Sequence, residues 1–245
     1  MFQKSSDLNN FGYMNNYSSA NDAGIRPTFG NDANTSLLLH MDGINESTTF
    51  TDVAVGGTTH TAIATGATVT TANKEFGTGS MDGGYLAIEN SADFAVAGND
   101  FTIDMWIYPT GSARYDLFSG ATNVWLAIEQ NNQRIDMWAS SNGSGWDLIT
   151  SDSAQGQGSL TLSLNAWSHV AFERYGDTWT TYIGGAVNKQ VTSISGSVFT
   201  RSEEKRIGRT AFNGASYVGQ LDEFRFSNIA RYEGTTFTPE TIAYY

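Results

Sequence analysis

The stretch Gly219-Gln220-Leu221-Asp222-Glu223-Phe224-Arg225-Phe226-Ser227-Asn228-Ile229-Ala230-Arg231-Tyr232 decides how the chain is read. Residues 221–226 alternate at the period of an extended strand. That pattern predicts Asp222, Phe224 and Phe226 on one side and Leu221, Glu223 and Arg225 on the other. Two rings on one side suit a sheet core. An aspartate beside them needs a cation, a metal or several donors. The stretch therefore reads as the closing strand of a β-sandwich, with Asp222 as a rim ligand or anchor.

Strand signals recur upstream. Phe101–Pro109 is the strongest: Phe101, Ile103, Met105 and Ile107 alternate with Thr102, Asp104, Trp106 and Tyr108, and Pro109 ends the run. Both of its faces are largely apolar, which predicts a central strand. Ser36–Gly43 is a short apolar run closed by Asp-Gly and reads as the opening strand, buried on both faces. Phe76–Ile88 reads as two strands bent around Gly83-Gly84. Residues 167–174 and 178–183 pair as a hairpin across Tyr175-Gly176-Asp177. Further short strands are expected near 116–119, 124–128, 134–138 and 205–208, and no stretch predicts a helix of ten or more residues. Many short strands at regular spacing predict a sandwich or jelly roll.

Composition narrows the function. The 245 residues hold 26 glycines, three prolines and no cysteine, with a formal net charge of −12. No disulfide framework or thiol chemistry is possible. The acidic balance argues against nucleic acid or an anionic membrane as partner. No run approaches the length of a membrane span, and the N-terminus lacks the apolar core of a signal peptide, so export by that route is not expected. Residues 1–35 are rich in Asn, Ser and Gly and show no period. Spaced aromatics at Phe2, Phe11, Tyr13, Tyr17 and Phe29 suggest an extended docking arm that orders on a partner. The chain thus divides into an arm, 1–35, and a globular domain, 36–245.

Four blocks carry a resemblance: SLLLHMDG (36–43), FGTGSMDGGYLAIENSADFAVAGNDFTIDMWIYPT (76–110), NAWSHVAFERYGDTWTTYIGG (165–185) and FNGASYVGQLDEFRFSNIARYEGTTFTPET (212–241). In order and spacing they resemble the concanavalin A-like, LamG-type jelly-roll family. The ending IARYEGTTFTP resembles versions of this domain in tailed-phage virion proteins. The resemblance implies an all-β fold, a two-sheet antiparallel jelly-roll sandwich whose first and last strands lie side by side. It also implies a calcium ion held between the two ends of the domain. That role carries over to Asp42 and Asp222, which would converge at one rim if those strands are neighbours, beside carbonyls near Gly43 or in Gly77–Ser80. The alternative is that Asp222 caps backbone N–H groups with no metal.

Catalysis is not expected. His40, His60 and His169 sit in separate blocks and read as strand residues bonded to backbone. Retaining glucanases of this fold carry closely spaced acids on one strand, and neither Glu129 with Asp136 nor Asp104 supplies such a run. Sugar binding needs a flat, water-exposed ring beside fixed polar groups. Trp146 in its polar loop, with Asn142 and Asp147, and Tyr115 are the candidates. Trp106, Trp125, Trp138, Trp167 and Trp179 fall within strands and are assigned mostly to the core. The expected role is a non-enzymatic virion structural protein, a capsid decoration or a tail component, contacting other virion proteins through its arm as a homo-oligomer. The alternatives are a lectin-like domain on a tail or fibre that binds a host-surface glycan, and a bacterial surface-adhesion module.

Overall fold

The computed structural model describes residues 30–121, 124–150, 152, 154–209 and 215–245. The five expected arm anchors, Phe2, Phe11, Tyr13, Tyr17 and Phe29, lie outside the described residues. Among the described residues fifteen strands are formed: β1 (Thr35–Leu39), β2 (Thr49–Thr51), β3 (Thr61–Thr65), β4 (Thr68–Thr70), β5 (Ser80–Asp82), β6 (Tyr85–Ile88), β7 (Phe101–Pro109), β8 (Tyr115–Gly120), β9 (Leu126–Asn131), β10 (Arg134–Ala139), β11 (Ser168–Tyr175), β12 (Thr178–Ile183), β13 (Ala186–Val191), β14 (Lys205–Ile207) and β15 (Gly219–Ser227). One sheet runs β13-β12-β11-β7-β15-β5-β4, with β1 also paired to β15, and the other runs β10-β9-β8-β14-β6-β3-β2. All the strand pairings are antiparallel. The expected two-sheet sandwich is therefore present, with β1 and β15 adjacent.

Gly83 and Gly84 turn the chain from one sheet into the other. Both adopt the left-handed region (φ 64° and 51°), and a side chain at Gly84 would strike the backbone of Thr65–Ala67. The hairpin between β11 and β12 closes on Gly176-Asp177, with Tyr175 paired to Thr178. Thr35, the last residue assigned to the arm, begins β1, and the Asn31 amide already donates to the Tyr245 carbonyl.

The face pattern of β15 differs from strict alternation. Leu221 pairs with Ile107 and Asp222 with Trp106, but Arg225 pairs with Asp104, so β15 carries one extra residue opposite β7. Glu223 takes φ 50° at this bulge. The slip puts Leu221, Phe224 and Phe226 in the core and turns Asp222 and Arg225 to the opposite face. Asp222 does not share a side with the two phenylalanines, as alternation predicted. The bulge removes the conflict of a carboxylate among rings.

The core between the sheets is one apolar cluster, dense in aromatics. Phe101 meets Phe172 and Trp179 edge-on, and Phe118 packs against Phe224, Phe226 and Trp125. The outward face of the eight-stranded sheet is buried too, because residues 228–245 fold across it. Tyr232 stacks on Phe237 and covers Tyr182 and Ala171. Glu173 fastens this segment: its carboxylate accepts the Tyr232 and Gly234 amides at 2.6 and 2.9 Å and the Tyr182 and Thr102 hydroxyls.

Beneath the same segment lies a buried polar network. Arg225 forks onto both Asp104 oxygens at 2.5 and 3.0 Å, its guanidinium lies 3.9 Å from the Tyr244 ring, and the Tyr232 hydroxyl also bonds Asp104. Burial alone would raise the Asp104 pKa, but the Arg225 charge and hydrogen bonds, with His169 and the Tyr232 hydroxyl, together outweigh it and hold the carboxyl below its ordinary value.

Candidate functional site

The two rim aspartates hold one loop. Asp222, fully buried, accepts the Glu75 and Phe76 amides on Oδ2 at 2.9 and 3.1 Å and the Glu223 amide on Oδ1 at 2.9 Å. Asp42 accepts the Thr78 and Gly79 amides and the Thr78 hydroxyl on Oδ1. The two carboxylates thus converge on residues 75–79, as the sequence suggested. The loop, however, turns N–H donors toward them where a calcium ion would need oxygens. Among the described residues, no group of three or more His, Asp or Glu side chains is placed to hold a metal ion. The donor set does not fit calcium, and its arrangement matches the capping alternative. Burial pushes the Asp222 carboxyl up to about 8, with the Glu223 charge adding to it and the three amides opposing it.

His40 and His169 bond side chains rather than backbone, and His60 makes a charge-pair contact but, among the described residues, no hydrogen bond through Nε2. His40 Nδ1 lies 2.8 Å from Glu223, His60 Nε2 3.2 Å from Asp93, and His169 Nε2 2.9 Å from the Tyr244 hydroxyl. Burial lowers the His169 pKa to about 4, so the ring is neutral.

Of the four sugar-binding candidates, Trp146 alone, itself half-buried, pairs with another ring on the outward face of a sheet. Tyr115 is half-buried and meets Tyr217 edge-on against the core. Asn142 and Asp147 are exposed but build their own loop. Asp147 accepts the Ser141 amide and hydroxyl and the Asn142 side-chain amide, and Asn142 Oδ1 accepts the Ser144 and Gly145 amides. This network carries Trp146 back over β10, where its ring lies 5.4 Å from that of Trp138.

Trp138 was assigned to the core, but the register sets it outward. On β10, Ile135, Met137 and Ala139 face the core, leaving Arg134, Asp136 and Trp138 on the other face. Opposite them, Ala127 and Glu129 of β9 face outward, and Asp116 of β8 pairs with Glu129. Three carboxylates, Asp116, Glu129 and Asp136, therefore stand in a row across three strands. Sequence reading missed this row because it sought the acids on a single strand.

Arg114 joins the row to the tryptophans. Its Nε donates to Glu129 Oε2 at 2.6 Å, and its guanidinium lies 5.1 Å from the Trp138 ring. Glu129 Oε1 and the Trp138 indole N–H are buried and have no hydrogen-bond partner among the described residues. Burial raises the Glu129 carboxyl to about 7; Asp116 and Asp136 add to the rise, and Arg114 opposes it. Asp136 is committed, accepting the Gly158 amide at 2.9 Å. Farther along the same face Tyr85 of β6 lies under Arg206 and Arg209. Four strand spacings separate β10 from β6, about 19 Å. The face thus offers rings at both ends and a partly exposed guanidinium beside the tryptophan pair.

Comparison with known proteins places this architecture. Residues 77–234 match the family model described as the Concanavalin A-like lectin/glucanases superfamily, and the chain belongs to that superfamily. No curated protein sequence matches it. Among solved structures, it resembles the binding domain of Paraclostridial Mosquitocidal Protein 1, at 16% identity and TM-score 0.57 over 80% of this chain and 49% of that one. It also resembles the receptor binding domain of botulinum neurotoxin D, at 13% identity and TM-score 0.56 over 81% of this chain and 50% of that one. The chain thus spans about half the length of these toxin domains. Domain 4 of AbnA, a GH43 extracellular arabinanase from Geobacillus stearothermophilus, solved in complex with arabinotriose, is similar at 14% identity and TM-score 0.59, over 84% of this chain and 98% of that one.

Proposed function

We propose that the chain is a carbohydrate-recognition domain that binds a glycan on the outward face of its seven-stranded sheet. The observation that carries this reading is the Trp138–Trp146 pair beside Glu129 and Arg114. The two tilted indoles supply the apolar half of a sugar contact. The Arg114 guanidinium, 44% exposed and held against Glu129 and the Trp138 ring, supplies donors for hydroxyls. A saccharide-bound domain of the same architecture in the arabinanase supports the reading.

The setting we infer is the virion of a tailed phage, with the domain displayed on a tail or fibre and residues 1–35 joining it to a neighbouring protein. The resemblance of the IARYEGTTFTP ending supports this setting. A printed glycan array probed with the full chain tests the proposal. Binding that is lost in Trp138→Ala supports it, and an array with no bound glycan contradicts it.

A further inference from the structure

A second recognition surface lies at the rim of the eight-stranded sheet opposite the Asp42–Asp222 clamp. There β1 and β7 begin and β11 and β15 end. Two adjoining cavities of about 580 and 650 Å³ open at this rim and share Asn34, Asn99, Asp100, Asn228 and Ile229 as lining. Together they form one trough, separate from Trp138 and Trp146 in every lining residue. Each cavity's volume lies in the range of small-ligand sites.

The lining is a set of uncommitted polar groups on a fixed floor. The side-chain amides of Asn34, Asn99 and Asn228 make no hydrogen bond among the described residues, although the Asn228 backbone amide ties to the Asn34 carbonyl at 3.0 Å. Asp100 uses Oδ1 for the Gly176 amide at 2.7 Å and leaves Oδ2 open. Tyr175, 43% exposed, offers a ring beside them. Arg231 is spent on the floor: it forks onto Asp32 at 2.9 and 3.1 Å and reaches Ser227 and Thr35.

This chemistry selects a ligand class. Each asparagine amide offers two donors and an acceptor, the complement of a vicinal hydroxyl pair. Asp93, Asp100 and Glu233 make the lining acidic, which repels an anionic sugar. We infer that the trough is a second carbohydrate site, selective for a neutral, hydroxyl-rich oligosaccharide. It rests on the reading of the domain as a glycan binder but not on the tryptophan site.

Three proteins test it on one array of neutral and sialylated oligosaccharides: the full chain, the double variant Trp138→Ala/Trp146→Ala, and the double variant Asn99→Ala/Asn228→Ala. Asn99 and Asn228 are exposed, so their truncation leaves the fold in place, as an unchanged thermal melt will verify. The expected result is a neutral-glycan signal that survives the tryptophan substitutions and weakens about tenfold or more with the asparagine ones. That glycan should also shift the side-chain NH₂ resonances of Asn34, Asn99 and Asn228 in the labelled full chain. An asparagine variant that matches the full chain on every neutral glycan overturns the trough and leaves the tryptophan site standing. A full chain that binds no glycan overturns both.

Discussion

Asp104 and Arg225 face each other across β7 and β15 as a bidentate pair, and neither side chain reaches solvent. Breaking such a pair from one side leaves a buried charge with no partner, which costs far more than replacing both members. Asp104→Ala is therefore expected to destabilise the domain by about 3–5 kcal/mol. Asp104→Leu/Arg225→Met should recover most of that loss. Urea denaturation of the two variants checks the pair, and a single variant within about 1 kcal/mol of wild type would refute the account of this network.

The bulge at Glu223 decides which face every later β15 side chain takes. Deleting Glu223 removes the extra residue and leaves Leu221, Phe224 and Phe226 on one face and Asp222 and Arg225 on the other, the facing the strand already has. The deletion is therefore expected to keep the core and to lose what Glu223 itself holds, the His40 contact and the Tyr244 amide, whereas Glu223→Gln keeps the bulge and loses only charge there. A wild-type near-UV circular dichroism spectrum in both proteins is the expected result, and its loss in the deletion would contradict this account of the bulge.

Glu129 should print itself on the pH profile. Its folded pKa of about 7 lies above the ordinary 4.5, so the folded state holds the proton more tightly than the unfolded one. Stability from this group is full below pH 4.5 and lost as pH rises through about 7. The loss amounts to about 3 kcal/mol. Glu129→Gln should flatten that decline between pH 5 and 8. His169 acts at the other end: its folded value of about 4 lies below 6.5, so its contribution is present above pH 6.5 and lost as pH falls through 4. Denaturant midpoints measured across pH 3.5–8.5 read both limbs.

The rim aspartates grip amides, not an ion. The melting temperature is accordingly expected to be the same in EDTA and in millimolar calcium. A rise of several degrees on adding calcium would show that the loop at residues 75–79 rearranges to present carbonyls.

Much of the architecture was legible because apolar alternation is a direct record of burial. Phe101–Pro109 announced a central strand, and the paired glycines at 83–84 announced the turn between sheets. Glu223 could not be read, because a left-handed glutamate leaves no mark in composition. The convergence of Asp42 and Asp222 was readable from the adjacency of their strands. Their partners were not, since a loop shows either N–H or carbonyl to a carboxylate according to its dihedral angles. Trp146 stood out by its polar loop. Trp138 did not, because a strand residue of this size points inward or outward according to register alone. Asp116, Glu129 and Asp136, and likewise the asparagines of the trough, are neighbours only through pairing between segments far apart in the chain.

The central claim is that the Trp138–Trp146 surface binds glycan, and isothermal titration is its most direct test. The titrant is the array's strongest glycan whose signal survives Asn99→Ala/Asn228→Ala. Wild type should bind it with a measurable affinity. Trp138→Ala, with an unchanged circular dichroism spectrum, should weaken binding by about tenfold or more, the loss of one indole from the sugar contact. Equal affinity in wild type and Trp138→Ala would contradict the account.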